Sequence, residues 1–309
     1  MSLRRLAVIL MALAGLWLLA ADSQADEPVL SQAPAKVGTN PSVVRLENLT
    51  WTQVRDRLKS GTTTIIIPTG GTEQNGRHMV LGKHNFIVTE TARRIARRLG
   101  GALVAPVIAY VPEGDPAIKT GHMAYPGTIS LLPDVFEKVL EQAARSFKTH
   151  GFKTIAFLGD SGGNQASQER VAARLNDAWA KDGVRVIHVS DYYAKNGGEA
   201  LLLANGETSQ TIGTHAGIRD TSELMAVYPQ GVDLTKAKPN EDGATGDARR
   251  ASVVLGKRLL DLKVDAAVAQ IQKEMRGQGK GKTVLSSDSG GQEPKTKGFM
   301  RWLLSVFFG

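Results

Sequence analysis

Apolar and polar positions follow one another along this chain in blocks of two different periods. "TTTIIIPTGG", Thr62 to Gly71, is a β-branched run closed by turn residues and predicts a strand. From Asn85 onward, Val88, Ala92, Ile95 and Leu99 recur at i, i+4, i+7 and i+11 with arginines on the opposite face, the spacing of an amphipathic helix. "ALVAPVIAYV" predicts a second strand, and Pro133 to His150 a second amphipathic helix ended by Gly151. "KTIAFLGD" predicts a third strand, "NQASQERVAARLNDAWAKDG" a helix and "VRVIHVSDYY" a fourth strand. Asp247 to Arg276 predicts one long helix.

Repetition of strand, loop and helix predicts an α/β fold, a three-layer α/β/α sandwich around a mostly parallel or mixed sheet. Ligands of such folds collect at loops leaving the carboxyl ends of the strands. Those loops are "PTGGTEQNGRHMVLGKHN", "PEGDPAIKTGHMAYPGT" and "GDSGGN".

The two ends follow other patterns. "MSLRR", the apolar run Leu6 to Ala20 and the small side chains of Ser23 and Ala25, at −3 and −1 of a cut after Ala25, predict a secretory signal over residues 1–25. The run is shorter than the ~20 residues of a membrane span. An exported protein is expected, periplasmic or extracellular. Residues 26–42 read as a flexible lead-in, 43–276 as the folded domain and 277–298 as a polar linker. Residues 299–309, "FMRWLLSVFFG", are an apolar tail that docks on the body, on a partner subunit, or as a peripheral contact on a membrane. With no cysteine, the chain offers neither disulfides nor a thiol nucleophile nor thiolate ligands. Its net charge of +8 is spread along helical stretches as a solvated basic face, and no nucleic-acid partner is expected.

Chemistry concentrates in the loops. "GDSGGN" raises the question of a serine nucleophile at Ser161. A trypsin-like serine belongs between β-barrels, whereas this one joins a strand to a helix. None of the six histidines has an aspartate three residues before it, as the GDSL esterases require. Gly159 to Gly163 fits the Gly-x-Ser-x-Gly elbow, but only His215 offers a partner, so a serine hydrolase is the weakest reading. The first loop instead gathers Glu73, Asn75, His78 and His84 just past a strand, and imidazole with carboxylate suits zinc or manganese.

"PTGGTEQNGRHMVLG" resembles the Pro-x-Gly-Ser-x-Glu-Gln-His-Gly-Pro-His signature of the creatininase (creatinine amidohydrolase) family. "GHMAYPGTISL", "GDSGGN" and "HAGIRDTS" resemble three further blocks of that family in the same order, and "GATGDARRAS" is similar to a later one. The resemblance implies that 43–276 is a creatininase-like catalytic domain hydrolysing amide or cyclic-amide C–N bonds of a small molecule with divalent metal, as a homo-oligomer, often a hexamer. It places a family metal glutamate on Glu73. It also places a ligand histidine on Asn75, the bridging aspartate on His84, another ligand histidine on Ser161 and a glutamate on Asp220. With the bridge and two histidines replaced, one ion per subunit is expected, zinc or manganese with iron as a third candidate. Glu73, His84, Asp160 and Asp220 are its expected ligands, and His78, His122 or His215 the expected proton carriers. A metal-free small-ligand binding protein on the same fold is the alternative.

Overall fold

A computed structural model describes residues 43–278. The signal, the lead-in, nearly all of the linker and the apolar tail expected from the sequence lie outside the described residues. Among the described residues, four parallel strands form one sheet in the order β2-β1-β3-β4. They are β1 Thr64–Thr69, β2 Ala102–Val104, β3 Thr154–Gly159 and β4 Arg185–His188. Because side chains alternate across a strand, β1 and β3 each feed two cores. Ile65, Ile67, Ile155 and Phe157 pack on one face with Phe136, Leu140, Val171 and Leu175. These come from α3 (Pro133–Thr149) and α4 (Gly162–Ala178). Helix α1 (Trp51–Lys59) adds Val54 and Leu58 on that side. Ile66, Ala156 and Leu158 face the other way, onto Val88 and Ile95 of α2 (Lys83–Leu99) and Val264 and Ile271 of a long C-terminal helix. Helix, sheet and helix thus make the three layers, and a strand buried on both faces explains the unbroken apolar run of β1.

The long C-terminal helix is α9 (Val253–Gln278), and between β4 and α9 come α5 (Ser190–Tyr193), α6 (Gly198–Ala204), α7 (Ser209–Ile212) and α8 (Ile218–Val227). Three expected elements are shorter than their patterns. In the fourth expected strand, "VRVIHVSDYY", β4 ends at His188 and Ser190–Tyr193 is helix. β2 stops at Val104 because Pro106 has no N–H for the ladder. The chain still runs beside β1, with Ala105 N–H donating to Ile66 O and Ile108 N–H to Pro68 O. The long C-terminal helix starts at Val253, since Asp247 caps a separate 3₁₀ turn, Ala248–Arg250.

Strand order reverses at β1: β2 lies to one side, β3 and β4 to the other. The loops after β1 and β3 therefore diverge from adjacent strand ends, the crevice where open α/β sheets bind ligands.

Candidate active site

That crevice holds a buried cluster of charged side chains. Glu73 follows β1, and Lys83 and His84 open α2. Asp160 follows β3, its N–H donating to Thr69 O. Glu113 and His122 come from the loop between β2 and α3. Ser130 clips that loop by accepting from Glu113 N–H (2.9 Å) and donating to Gly114 O (2.5 Å). Gly71 lies opposite it, where a Cβ would stand 2.3 Å from Glu113 Oε1 and push that carboxyl aside. His215 and Asp220 arrive at the start of α8, where Asp220 accepts from Ala216 N–H at 2.8 Å.

Glu73, His122 and His215 bring one ligand atom each within 4.8 Å of one another, and among the described residues they are the group able to hold a metal ion. Glu73 Oε2 is 3.3 Å from His122 Nε2, and Oε1 is 3.6 Å from His215 Nδ1. Gln74 orients both rings. Its carbonyl accepts from His215 Nε2 (2.9 Å), which leaves Nδ1 as a lone pair facing Glu73. Its side-chain Nε2 donates to His122 Nδ1 (3.0 Å), so His122 Nε2 carries the proton here and must give it up to bind a metal. Burial, then the Lys83 charge, pushes His215 down to about 4. Burial likewise lowers His122. Both rings are neutral at physiological pH, as ligands must be. Burial opposes ionisation of Glu73, but His84 and Lys83 outweigh it and hold the carboxylate well below its usual range. One carboxylate with two imidazoles is a donor set of catalytic zinc sites, and the three residues fit a single divalent ion.

The ligand set expected from the sequence is gathered differently. His84 Nδ1 lies 2.7 Å from Asp160 Oδ2, and Nε2 lies 2.9 Å from Glu73 Oε1. Ionised carboxylates only accept, so both ring nitrogens donate and neither offers a lone pair to a metal. Burial and the Lys83 charge act against this imidazolium, yet Glu73 and the bond to Asp160 carry its pKa above the usual value. Asp160 also accepts from Lys263 Nζ (2.7 Å) and Tyr192 Oη (2.6 Å). Asp220 accepts from Lys83 Nζ at 2.9 Å. Of the expected metal ligands only Glu73 belongs to the metal-capable trio, and the trio's two histidines are residues expected to carry protons. His78, the third expected proton carrier, turns toward α8, its Nε2 3.0 Å from Thr221 Oγ1. Asn75 donates its amide to Glu73 O (3.0 Å) and Val80 O (3.2 Å) and holds the loop. Ser161 caps α4 by accepting from Gly163 N–H, and its hydroxyl faces Glu113 Oε2 at 3.5 Å. Among the described residues no imidazole pairs with Ser161.

Sequence reasoning missed Glu113, Lys83, Tyr192, Glu223 and Lys263. Burial, then the charge of Glu73, pushes the Glu113 carboxyl up to about 10, and its Oε1 is buried without a hydrogen-bond partner. A signal for Lys263 existed, since it shares the apolar stripe of Leu260, Val264, Ala267 and Ile271. A lysine on a core-facing stripe needs a buried partner.

A family model described as Creatininase: Creatinine amidohydrolase matches residues 47–271. A creatinine amidohydrolase of Pseudomonas putida is 24% identical over 250 residues, covering 73% of this chain and 95% of its own. A mycofactocin precursor peptide peptidase of Mycobacterium ulcerans is 28% identical over 252 residues, covering 72% and 90%. A crystal structure of creatinine amidohydrolase superposes with a TM-score of 0.62 at 25% identity, covering 75% of this chain and 98% of that one. Another solved structure, a manganese creatininase, gives 0.63 at 24% identity over the same shares and agrees in fold. With that match over most of the chain, the same layered fold, and a metal-capable Glu-His-His group in its crevice, the protein belongs to the creatininase family of hydrolases.

Proposed function

We propose that this protein is an exported amidohydrolase that cleaves an amide or cyclic-amide C–N bond of a small molecule with one divalent ion, zinc or manganese, held by Glu73, His122 and His215. The observation that carries the reading is the convergence of those three side chains within 4.8 Å. Relatives named for hydrolysis of creatinine and of a precursor peptide support the reaction class. The charged and apolar N-terminal pattern supports export.

When bound, the ion would polarise the substrate carbonyl and acidify a water. The chain's own residues do the rest. Gln74 fixes the two imidazoles, and the ammonium of Lys83, 3.5 Å from Glu73 Oε1, keeps Glu73 ionised. Burial and then the charge of Glu73 favour a protonated Glu113 in the metal-free chain, and we assign it as the acid for the leaving nitrogen. His84, donating to both Glu73 and Asp160, fixes the end of β1 relative to the end of β3.

The test is release of amine from a panel of small amides and cyclic amides, creatinine included, by zinc- or manganese-loaded protein. Glu73→Gln and His215→Ala are expected to lose metal and at least ~10²-fold in kcat/KM. Full metal occupancy in both variants would sink the ligand assignment, and unaltered turnover after chelation would sink the metal-dependent reaction.

A further inference from the structure

Two lysines sit where lysines are rarely found. Lys83 is fully buried and Lys263 nearly so. Each ammonium lies between carboxylates: Lys83 Nζ is 2.9 Å from Asp220 Oδ2 and 3.5 Å from Glu73 Oε1. Lys263 Nζ is 2.7 Å from Asp160 Oδ1 and 2.8 Å from Glu223 Oε2, and it lies 4.8 Å from the centre of the Tyr192 ring. A buried carboxylate needs a counter-charge, and a bound cation is the other common way to supply one. Here the counter-charges are covalently part of the chain.

We propose that Lys83 and Lys263 are built-in counter-ions that close the inner half of this carboxylate cluster to metal. Asp160, Asp220 and Glu223 are neutralised by ammonium groups at hydrogen-bond distance, and His84 spans Asp160 and Glu73 as a double donor. Only the outer face of Glu73, toward His122 and His215, is left for an ion. The cluster therefore keeps its shape with the ion removed, and removing a lysine opens a second cation position. The one-ion count rests on the trio argued above; the closure by lysine does not.

The experiment counts zinc by elemental analysis of the full chain after equilibration with zinc and gel filtration, and records thermal melts with and without chelator. Wild type is expected to hold about one zinc per chain and to keep a cooperative melt in chelator. Lys263→Met is expected to melt roughly 10 °C lower in chelator, to recover on adding zinc, and to hold about two ions per chain. Lys263→Arg, which keeps the charge, should stay at the wild-type count. Should Lys263→Met fail to fold, Lys83→Met is read in the same way. About two zinc ions on wild type overturn the proposal, as does a foldable methionine variant that binds no more zinc than wild type. A wild type without zinc whose methionine variant gains an ion would instead overturn the trio and leave the lysine closure standing.

Discussion

A carboxyl that holds its proton at neutral pH behaves, for stability, like an amide. Glu113 is such a group, raised to about 10 by burial and by Glu73. Glu113→Gln keeps size and neutrality and removes only the transferable proton. The expected outcome is a melting temperature at pH 7 close to or slightly above wild type, with kcat lower by roughly 10²-fold. Circular-dichroism melts and steady-state kinetics on the same preparation check it. A fall in kcat matched by a large fall in stability would make Glu113 a structural residue. The residue also shows where sequence reading stopped. The segment "PEGDPAIKTGHMAYPG" stands out as a loop at a strand end. That its glutamate turns inward depends on Ser130 and on the missing side chain of Gly71, seventeen residues ahead of it and forty-two behind it in the chain.

Among elements, the contact of α9 with α8 decides the position of the inner ion pairs. Gly256 of α9 lies against the carbonyl of Ser222, where a Cβ would stand only 1.8 Å from the oxygen. Two turns further along α9, this approach lets Lys263 reach Glu223, the residue after Ser222, and Asp160 beyond β3. Gly256→Ala raises intrinsic helix propensity by up to about 1 kcal/mol, but the overlap forces the helices apart at a cost of about 1–3 kcal/mol or more. Net destabilisation is expected, with a lower urea midpoint at an unchanged m-value. A variant as stable as wild type would show that this contact relaxes freely. The layered fold itself was legible, because β1 and β3 are apolar runs buried on both faces, and α2 and α3 each bury the face their period names. What the periods could not show is pairing across distance. His84 meets Asp160 seventy-six residues on, and Lys263 meets it one hundred and three residues on. The resemblance fixed Glu73 but passed the bridging role to His84, whose two donated hydrogen bonds only coordinates display.

For the whole molecule, the buried cluster sets how stability follows pH, and its members pull in opposite directions. Asp160 and Asp220 are held below the usual carboxylate range: burial opposes their charge, and Lys263 and His84 at the one and Lys83 at the other outweigh it. Their contribution is present above the unfolded carboxylate pKa and is lost as pH falls, between about pH 5 and pH 1. Glu113, raised to about 10, has the opposite sign. Above about pH 4.3 the unfolded chain releases that proton and the folded chain keeps it, so stability declines as pH rises toward 10. His84, also raised, adds to this decline as pH passes through its folded pKa. The chelator-treated chain should therefore be most stable in mildly acidic solution, with its melting temperature falling steeply on the acid side and gently on the alkaline side. Glu113→Gln should flatten the alkaline limb, leaving the smaller slope due to His84, and keep the acid limb in place, because the two aspartates are untouched. Melts from pH 3 to pH 9 at constant ionic strength, about 0.15 M so that surface pairs are screened, separate the two limbs. An alkaline limb equally steep in both proteins would mean that Glu113 stays ionised in the folded chain and that the charge of Glu73 is met by other groups.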